Sequence, residues 1–449
     1  MTARSGAASR SLERTLGLRD LILIVVGTVI GSGIFIVPGA VLRQSGNHTG
    51  VALLVWLVGG VLSLLGALAY GELGAMVPEA GGLYIYIRDT FGSLPAFLYG
   101  WASFFAIGSG SLATLAVAGA GYLSQIVPLT PALQKLAAVA LVGSVAWVNV
   151  RGTRLGAAVQ NWATAIKVGA ILLMAVVLIG AGSGLRGADV TAFPAAVDGS
   201  LLSGIGLSMI GVLWAYEGWQ YVTFSAGEAL EPQRTFPRGI VLGTTALIVV
   251  YLVANVAYVA ALGPVAAGRS DAVAAEAVRA VVGPLAGKLI AAAIVVSIIG
   301  AANGLTLTSP RVYFAMARDG VFFRRLAEVH PRFGTPAVAV TASAVWAALL
   351  ALSGTFEQLL TYVVFAGWIF YGLGAMSLFV YRKRQPARPR PFRVPGYPWA
   401  PLLFVLAAAA IVLNTLVARP MQAVLGLGMV GLGAPAYYLW KRRDGRRSP

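Results

Sequence analysis

The chain contains no cysteine, which excludes disulfides, thiolate metal sites and any sulfur tether to a partner subunit. It has only two histidines, His48 and His330, both in expected loops, so a histidine relay or metal site at membrane depth is not expected. Neither a metal nor another cofactor is called for. Charge is scarce: 11% of the 449 residues, where about a quarter is usual for a soluble domain. With 58% hydrophobic residues and a mean hydropathy of +0.81, the composition is that of a polytopic membrane protein. Met1 to Leu18 is polar and basic without an apolar stretch, so no cleaved signal peptide is expected.

What charge there is leans one way, 33 Lys and Arg against 16 Asp and Glu. Its placement decides whether that means nucleic acid or topology. Apolar runs bounded by Gly, Pro and charge predict about twelve spans near 20–42, 50–77, 94–127, 133–150, 155–181, 203–228, 239–262, 285–315, 337–354, 358–381, 400–417 and 422–440. With the N-terminus inside, the inner segments hold 25 Lys and Arg, including Arg311, and the outer loops 7. The positive-inside rule then puts both termini in the cytoplasm, as the N-terminal segment 1–19 and the tail 441–449. The basic excess is topological, and no nucleic-acid partner is expected. The run Arg382 to Arg393, in the Pro-rich loop 382–399, reads as a solvated orientation signal or as a contact for anionic lipid. Asn47-His48-Thr49 matches a glycosylation acceptor on the outer side, a short pattern that also arises by chance.

Two spans are interrupted in the sequence. Gly27 to Pro38 reads GTVIGSGIFIVP inside the first apolar run. Glycine and proline weaken a helix, and bare peptide groups are tolerated at that depth only where protein, ligand or water meets them. The amides of Gly31, Ser32 and Gly33 would then lie at the N-terminus of a second half-helix, where unpaired N–H groups and the helix dipole attract a carboxylate. Alternatively these small residues let another helix approach closely. The sixth run carries a comparable interruption, GVLWAYEGWQYV from Gly211 to Val222, with Glu217 and Gln220 beside Gly218. Breaks in corresponding segments, the first and the sixth, imply a five-plus-five inverted repeat with a transport site between the halves. The repeats would cover 20–181 and 203–381, followed by two further helices over 400–440.

Three charges fall within the spans: Glu72, Lys167 and Glu217. Each costs about 2.5–3.5 kcal/mol at a helix centre, so each needs a partner or a purpose. Glu72, close to a cytoplasmic helix end, suits a structural interfacial role. Lys167 can snorkel outward or point inward at the carbonyls freed by the break at Gly27 to Gly31. Glu217, at a break and among aromatics, suits function. Tyr216 and Trp219 read as packing, whereas Trp214, immediately before the break, can close over a ligand.

These residues resemble the amino acid–polyamine–organocation superfamily, and within it the L-type amino acid transporters that include the light chains of heteromeric carriers. The similarity extends along nearly the whole chain through GTVIGSGIF at Gly27 to Phe35, the stretch Tyr70 to Phe97, Ile166-Lys167, WAYEGW at Trp214 to Trp219, Gly227 to Ile240, and Ile299 to Gly320. The resemblance implies a LeuT-like, all-α fold with helices 1 and 6 broken, in a plasma or inner membrane, and sodium-independent amino acid transport, usually by exchange. It implies that amides around Ser32 and Gly33 hold the substrate carboxylate, with Gly31 allowing close approach. It assigns carbonyls at Val29, Trp214 and Glu217, with Ala215 between them, to the ammonium group. It also implies the Trp214 ring as outer gate and Lys167 as a stand-in for a sodium that bears on inward opening.

Many members have glycine where this chain has Glu217, and one branch has aspartate. Glu217 can therefore pair with a cationic side chain or carry a proton, and the expected substrates are neutral amino acids, joined by cationic ones where Glu217 pairs with the side chain. Without cysteine, no disulfide-linked heavy chain is expected. A proton-coupled symporter is the alternative to an exchanger. A membrane enzyme lacks a nucleophile-and-base or metal cluster, and a sensor on the same fold lacks an output domain.

Overall fold

Lipid offers the backbone no partners, so long apolar runs close their hydrogen bonds internally as helices. The computed structural model describes residues 12–184, 191–353, 356–418 and 420–445. The basic residues Arg4, Arg10, Arg186, Arg419, Arg446 and Arg447 lie outside the described residues. Among the described residues the fold is all-helical, and the only extended pairing is one parallel bridge between Leu16 and Ala229.

The first apolar run is split into α1 (Leu18–Val29) and α2 (Gly33–Gln44), bent by 50°. Then come α3 (Thr49–Met76), the short α4 (Leu83–Phe91), α5 (Ser93–Ala102) joined by a π-helical turn to α6 (Gly108–Ile126), α7 (Pro131–Val150) and α8 (Thr153–Ala181). The sixth run forms α9 (Gly199–Ala215), a turn at Tyr216 to Gly218, and a 3₁₀ helix at Trp219–Glu228. It is followed by α10 (Pro232–Leu262), the short α11 (Pro264–Arg269) and α12 (Val273–Val282), α13 (Pro284–Thr308) and α14 (Pro310–Arg318). The chain ends in α15 (Ala337–Ser353), α16 (Phe356–Arg384), α17 (Trp399–Ala418), α18 (Pro420–Gly431) and α19 (Gly433–Gly445). Helix starts follow local chemistry: the Asp198 carboxylate takes the Leu201 N–H at 2.8 Å, and Pro131, Pro232 and Pro284 open helices where no N–H is needed.

Among the described residues ten helices are long and apolar enough to cross a membrane, eleven with the bent pair counted as one. The predicted run 337–354 is the exception. It forms an apolar helix, Ala337–Ser353, of only 17 residues, shorter than the roughly 20 that span a bilayer without help.

The interrupted segments lie centrally: α1 packs on α10, α8, α13 and the 3₁₀ helix, and α2 on α9. Contact between the breaks is so close that a Cβ on Gly33 would stand 2.8 Å from the Cβ of Ala215. Gly218 has a φ of +129°, a conformation open to glycine, and faces the Thr28 carbonyl carbon. The close-approach reading of these glycines therefore holds together with the break.

Glu72 and Arg311 are buried charges with ionic partners. Glu72 is fully buried and accepts from Arg382 at 2.9 and 2.6 Å and from the Val394 N–H at 2.7 Å. This is the structural role its position suggested. Much of the basic run is exposed, Lys383, Arg384 and Arg393 included, as a solvated orientation signal would be, while several of its arginines also bond to the helices. Arg384 donates to the Thr90 carbonyl, Arg388 to that of Met76 and Arg390 to that of Gln385, so these arginines fold their own loop against α3 and α4. Arg311, counted with the inner segments, lies within the fold. It is fully buried in α14, its Nε 2.7 Å from Glu228 Oε1 and its Nη2 3.0 Å from Oε2.

Candidate functional site

Where α1 stops, the helical ladder cannot continue, because the Gly31 N–H turns back to the Val29 carbonyl at 2.7 Å. The N–H groups of Ser32, Gly33 and Ile34, at the start of α2, form no hydrogen bond with any described residue. The Ser32 hydroxyl is buried and also unpartnered. This leaves a cluster of bare donors at a helix N-terminus.

Ser32 and Gly33 line a cavity of about 50 Å³, room for about four waters if each needs 10 to 15 Å³. Its walls include all seven residues singled out from the sequence: Val29, Gly31, Ser32, Gly33, Trp214, Ala215 and Glu217. The tertiary fold adds Thr28, Leu305 and Val363, and from α6 Ser111, Thr114 and Leu115. Thr28 lies within the first break and Leu305 within the stretch Ile299 to Gly320, whereas nothing in the local pattern marks Ser111, Thr114, Leu115 or Val363. Tyr221 also lines the cavity; it stands four residues after Glu217, a spacing that brings side chains together on a helix.

The carbonyls expected at the breaks are unequally free. That of Val29 already takes the Gly31 N–H and the Tyr251 hydroxyl at 3.2 Å. That of Trp214 takes the Glu217 N–H at 2.9 Å, while the Glu217 carbonyl receives no donor from a described residue. In the Glu217 side chain, Oε1 accepts from the hydroxyls of Tyr221 and Tyr371, each at 2.8 Å. Oε2 is buried without a partner. Tyr216 and Trp219 pack as expected, Tyr216 against Trp56 and Tyr251, and Trp219 against Tyr70 and Phe404.

Lys167 does not snorkel. Its side chain is buried and points inward, with Nζ donating to the carbonyls of Gly27 at 2.8 Å, Ile30 at 2.7 Å and Ser297 at 2.9 Å. Three carbonyl acceptors around one nitrogen match the three N–H bonds of an ammonium group. One cation thus bridges the end of α1 to α13. Deeper along α8, Gln160 and Thr164 share that face: Thr164 donates to the Leu23 carbonyl, and Gln160 Oε1 accepts from Asn303. Among the described residues no group of acidic, histidine or cysteine side chains could hold a metal ion.

An all-helical membrane protein with a small cavity between two interrupted spans has the construction of a secondary transporter. The chain belongs to the amino acid permease family, whose sequence pattern matches residues 16–427. It is 32% identical to the serine/threonine exchanger SteT of Bacillus subtilis (strain 168) over 438 residues, 96% of this chain and 98% of that one. It is 33% identical to the human large neutral amino acids transporter small subunit 2 over 450 residues, covering 97% and 82%. It is 32% identical to the mouse b(0,+)-type amino acid transporter 1 over 417 residues, covering 91% and 84%.

Proposed function

We propose that the protein is a sodium-independent exchanger of neutral and cationic amino acids, working by alternating access in a plasma or inner membrane with both termini in the cytoplasm. The observation that carries this reading is the pair of unpaired amides at Ser32 and Gly33, in the wall of a cavity that the second break also lines. Amides at a helix N-terminus suit the carboxylate of a zwitterion, and the Glu217 carbonyl suits its ammonium group. The two five-helix repeats at 20–181 and 203–381 would rock against each other, with Trp214 as outer gate. Lys167 would hold α1 in place and release it for inward opening. No disulfide-linked heavy chain enters this scheme, and the relatives named as exchangers and transporters support transport over catalysis.

Purified protein in liposomes gives the test. An exchanger takes up labelled amino acid only when amino acid is preloaded, and uptake into empty liposomes would overturn exchange. The buried, unpartnered Oε2 of Glu217 favours one second reading, proton symport, in which uptake needs no counter-substrate and acidifies the lumen. Glu217→Gly is expected to weaken competition by lysine and arginine more than competition by alanine. Equal loss for both removes the cation role.

A further inference from the structure

Helices α16 and α17 both contain apolar stretches long enough to span a membrane, and the basic loop joins them. They pack antiparallel: a Cβ on Gly372 would stand 3.1 Å from the Cβ of Ala408, and the ring centroids of Phe379 and Tyr397 are 5.5 Å apart. These pairings set Met376 level with Leu403. On α16, Met376, Phe379 and Lys383 follow one another at helical spacing, with Met376 and Lys383 exposed. On α17, Trp399, Leu403 and Leu406 do the same, and each is more than half exposed. On a spanning helix such side chains meet acyl chains rather than water.

The loop end of this pair is cationic. Lys383, in the last turn of α16, and Arg393 are exposed and form no hydrogen bond or ion pair with another described residue. The chain around them is fixed. Arg382 is held by Glu72 at 2.6 Å, and its guanidinium lies 3.8 Å from the centre of the Tyr397 ring. Arg388 and Arg390 bond to backbone carbonyls, and the Val394 N–H bonds to Glu72. The two unpaired cations thus stand on a folded platform, so a ligand that meets them does not have to order the loop first. Trp399, exposed at the start of α17, has the place that aromatic residues take at headgroup level.

We propose that this face of α16 and α17 is a binding site for an anionic membrane phospholipid. Lys383 and Arg393 take the headgroup, the Trp399 ring lies beside the glycerol backbone, and the acyl chains follow Leu403, Leu406 and Met376. A zwitterionic phospholipid offers the same phosphate and the same chains but brings its own cation, so net charge is what separates the two. Each Lys or Arg close to an anionic lipid surface is worth about fivefold in affinity, and the pair about thirtyfold.

The full chain, purified in detergent and stripped of lipid, is titrated with phosphatidylglycerol or phosphatidylcholine. Bound lipid is counted by native mass spectrometry, and thermal unfolding is followed in parallel. Phosphatidylglycerol is expected to bind about thirtyfold more tightly than phosphatidylcholine and to raise the unfolding temperature further at equal concentration. Lys383→Gln combined with Arg393→Gln is expected to erase that preference, and Lys383→Gln alone to cut it by about fivefold. Lys135→Gln combined with Lys288→Gln removes two exposed cations elsewhere on the molecule and is expected to leave the preference within about twofold. Equal affinity for the two lipids overturns the proposal. Equal loss in the two double variants overturns it as well, because net charge and not this face would then be responsible. Stabilisation by glycerol phosphate as strong as by phosphatidylglycerol overturns the part played by the acyl chains. None of these measurements depends on transport, so their failure leaves the exchange reading standing, and failure of exchange leaves this site standing.

Discussion

Replacing Lys167 with methionine removes a charge and three N–H donors while keeping a long, flexible side chain in place, so it isolates the bonds to the break. The three carbonyls lose unequally. The Gly27 carbonyl would ordinarily take the Gly31 N–H, but that group bonds to Val29 instead, so Gly27 loses its one partner among the described residues. The Ile30 carbonyl keeps the Ser297 hydroxyl at 3.2 Å, and the Ser297 carbonyl remains within the ladder of α13. One orphaned carbonyl costs about 1–3 kcal/mol. Three interhelical bonds at the membrane average of about 0.6 kcal/mol give roughly 2 kcal/mol. Both routes converge on about 2 kcal/mol against the docked position of α1, or about thirtyfold in the equilibrium between docked and released.

The cysteine-free chain makes this measurable. In a Thr28→Cys background the single thiol sits beside the break and is buried with its segment. Lys167→Met is expected to raise its modification by a membrane-impermeant thiol reagent by about thirtyfold, and exchange measured in parallel should fall, because a helix that no longer docks cannot complete the cycle. Unchanged labelling together with unchanged exchange would refute the claim that this ammonium holds the first half-helix.

Two further expectations rest on geometry. Gly33→Ala places a Cβ 2.8 Å from that of Ala215 and 2.9 Å from its Cα, so the two breaks must separate; exchange is expected to drop more than tenfold with normal membrane insertion, and wild-type exchange would count against close apposition. Glu228→Ala leaves the fully buried Arg311 without its carboxylate, a loss of about 3–5 kcal/mol. By contrast Asp319→Asn, which removes a partner of the partly exposed Arg88, should cost at most about 1 kcal/mol. Thermal unfolding in detergent separates the two, and equal shifts would mean that burial does not rank these pairs.

Composition and local order along the chain were enough to establish the membrane class and to single out both interrupted stretches, with Ser32, Gly33, Trp214, Lys167 and Glu217 as candidates. The reason is that lipid makes each segment answer for its own backbone, so a glycine cluster or a charge at mid-depth is visible where it stands. The count of spans was less legible, since the seventeen-residue helix at Ala337–Ser353 sits at the limit where length alone decides. Partnership between distant residues belonged to the tertiary structure. Glu217 meets Tyr371 across 154 positions, Arg311 meets Glu228 across 83, and Glu72 meets Arg382 across 310. No periodicity relates such residues, and partners such as Tyr371 and Glu228 are ordinary in their own stretches. Only packing of the helices shows that arginines after α16 bond into the fold, that the lysine faces inward, and that two tyrosines bond one oxygen of Glu217 and leave the other without a partner.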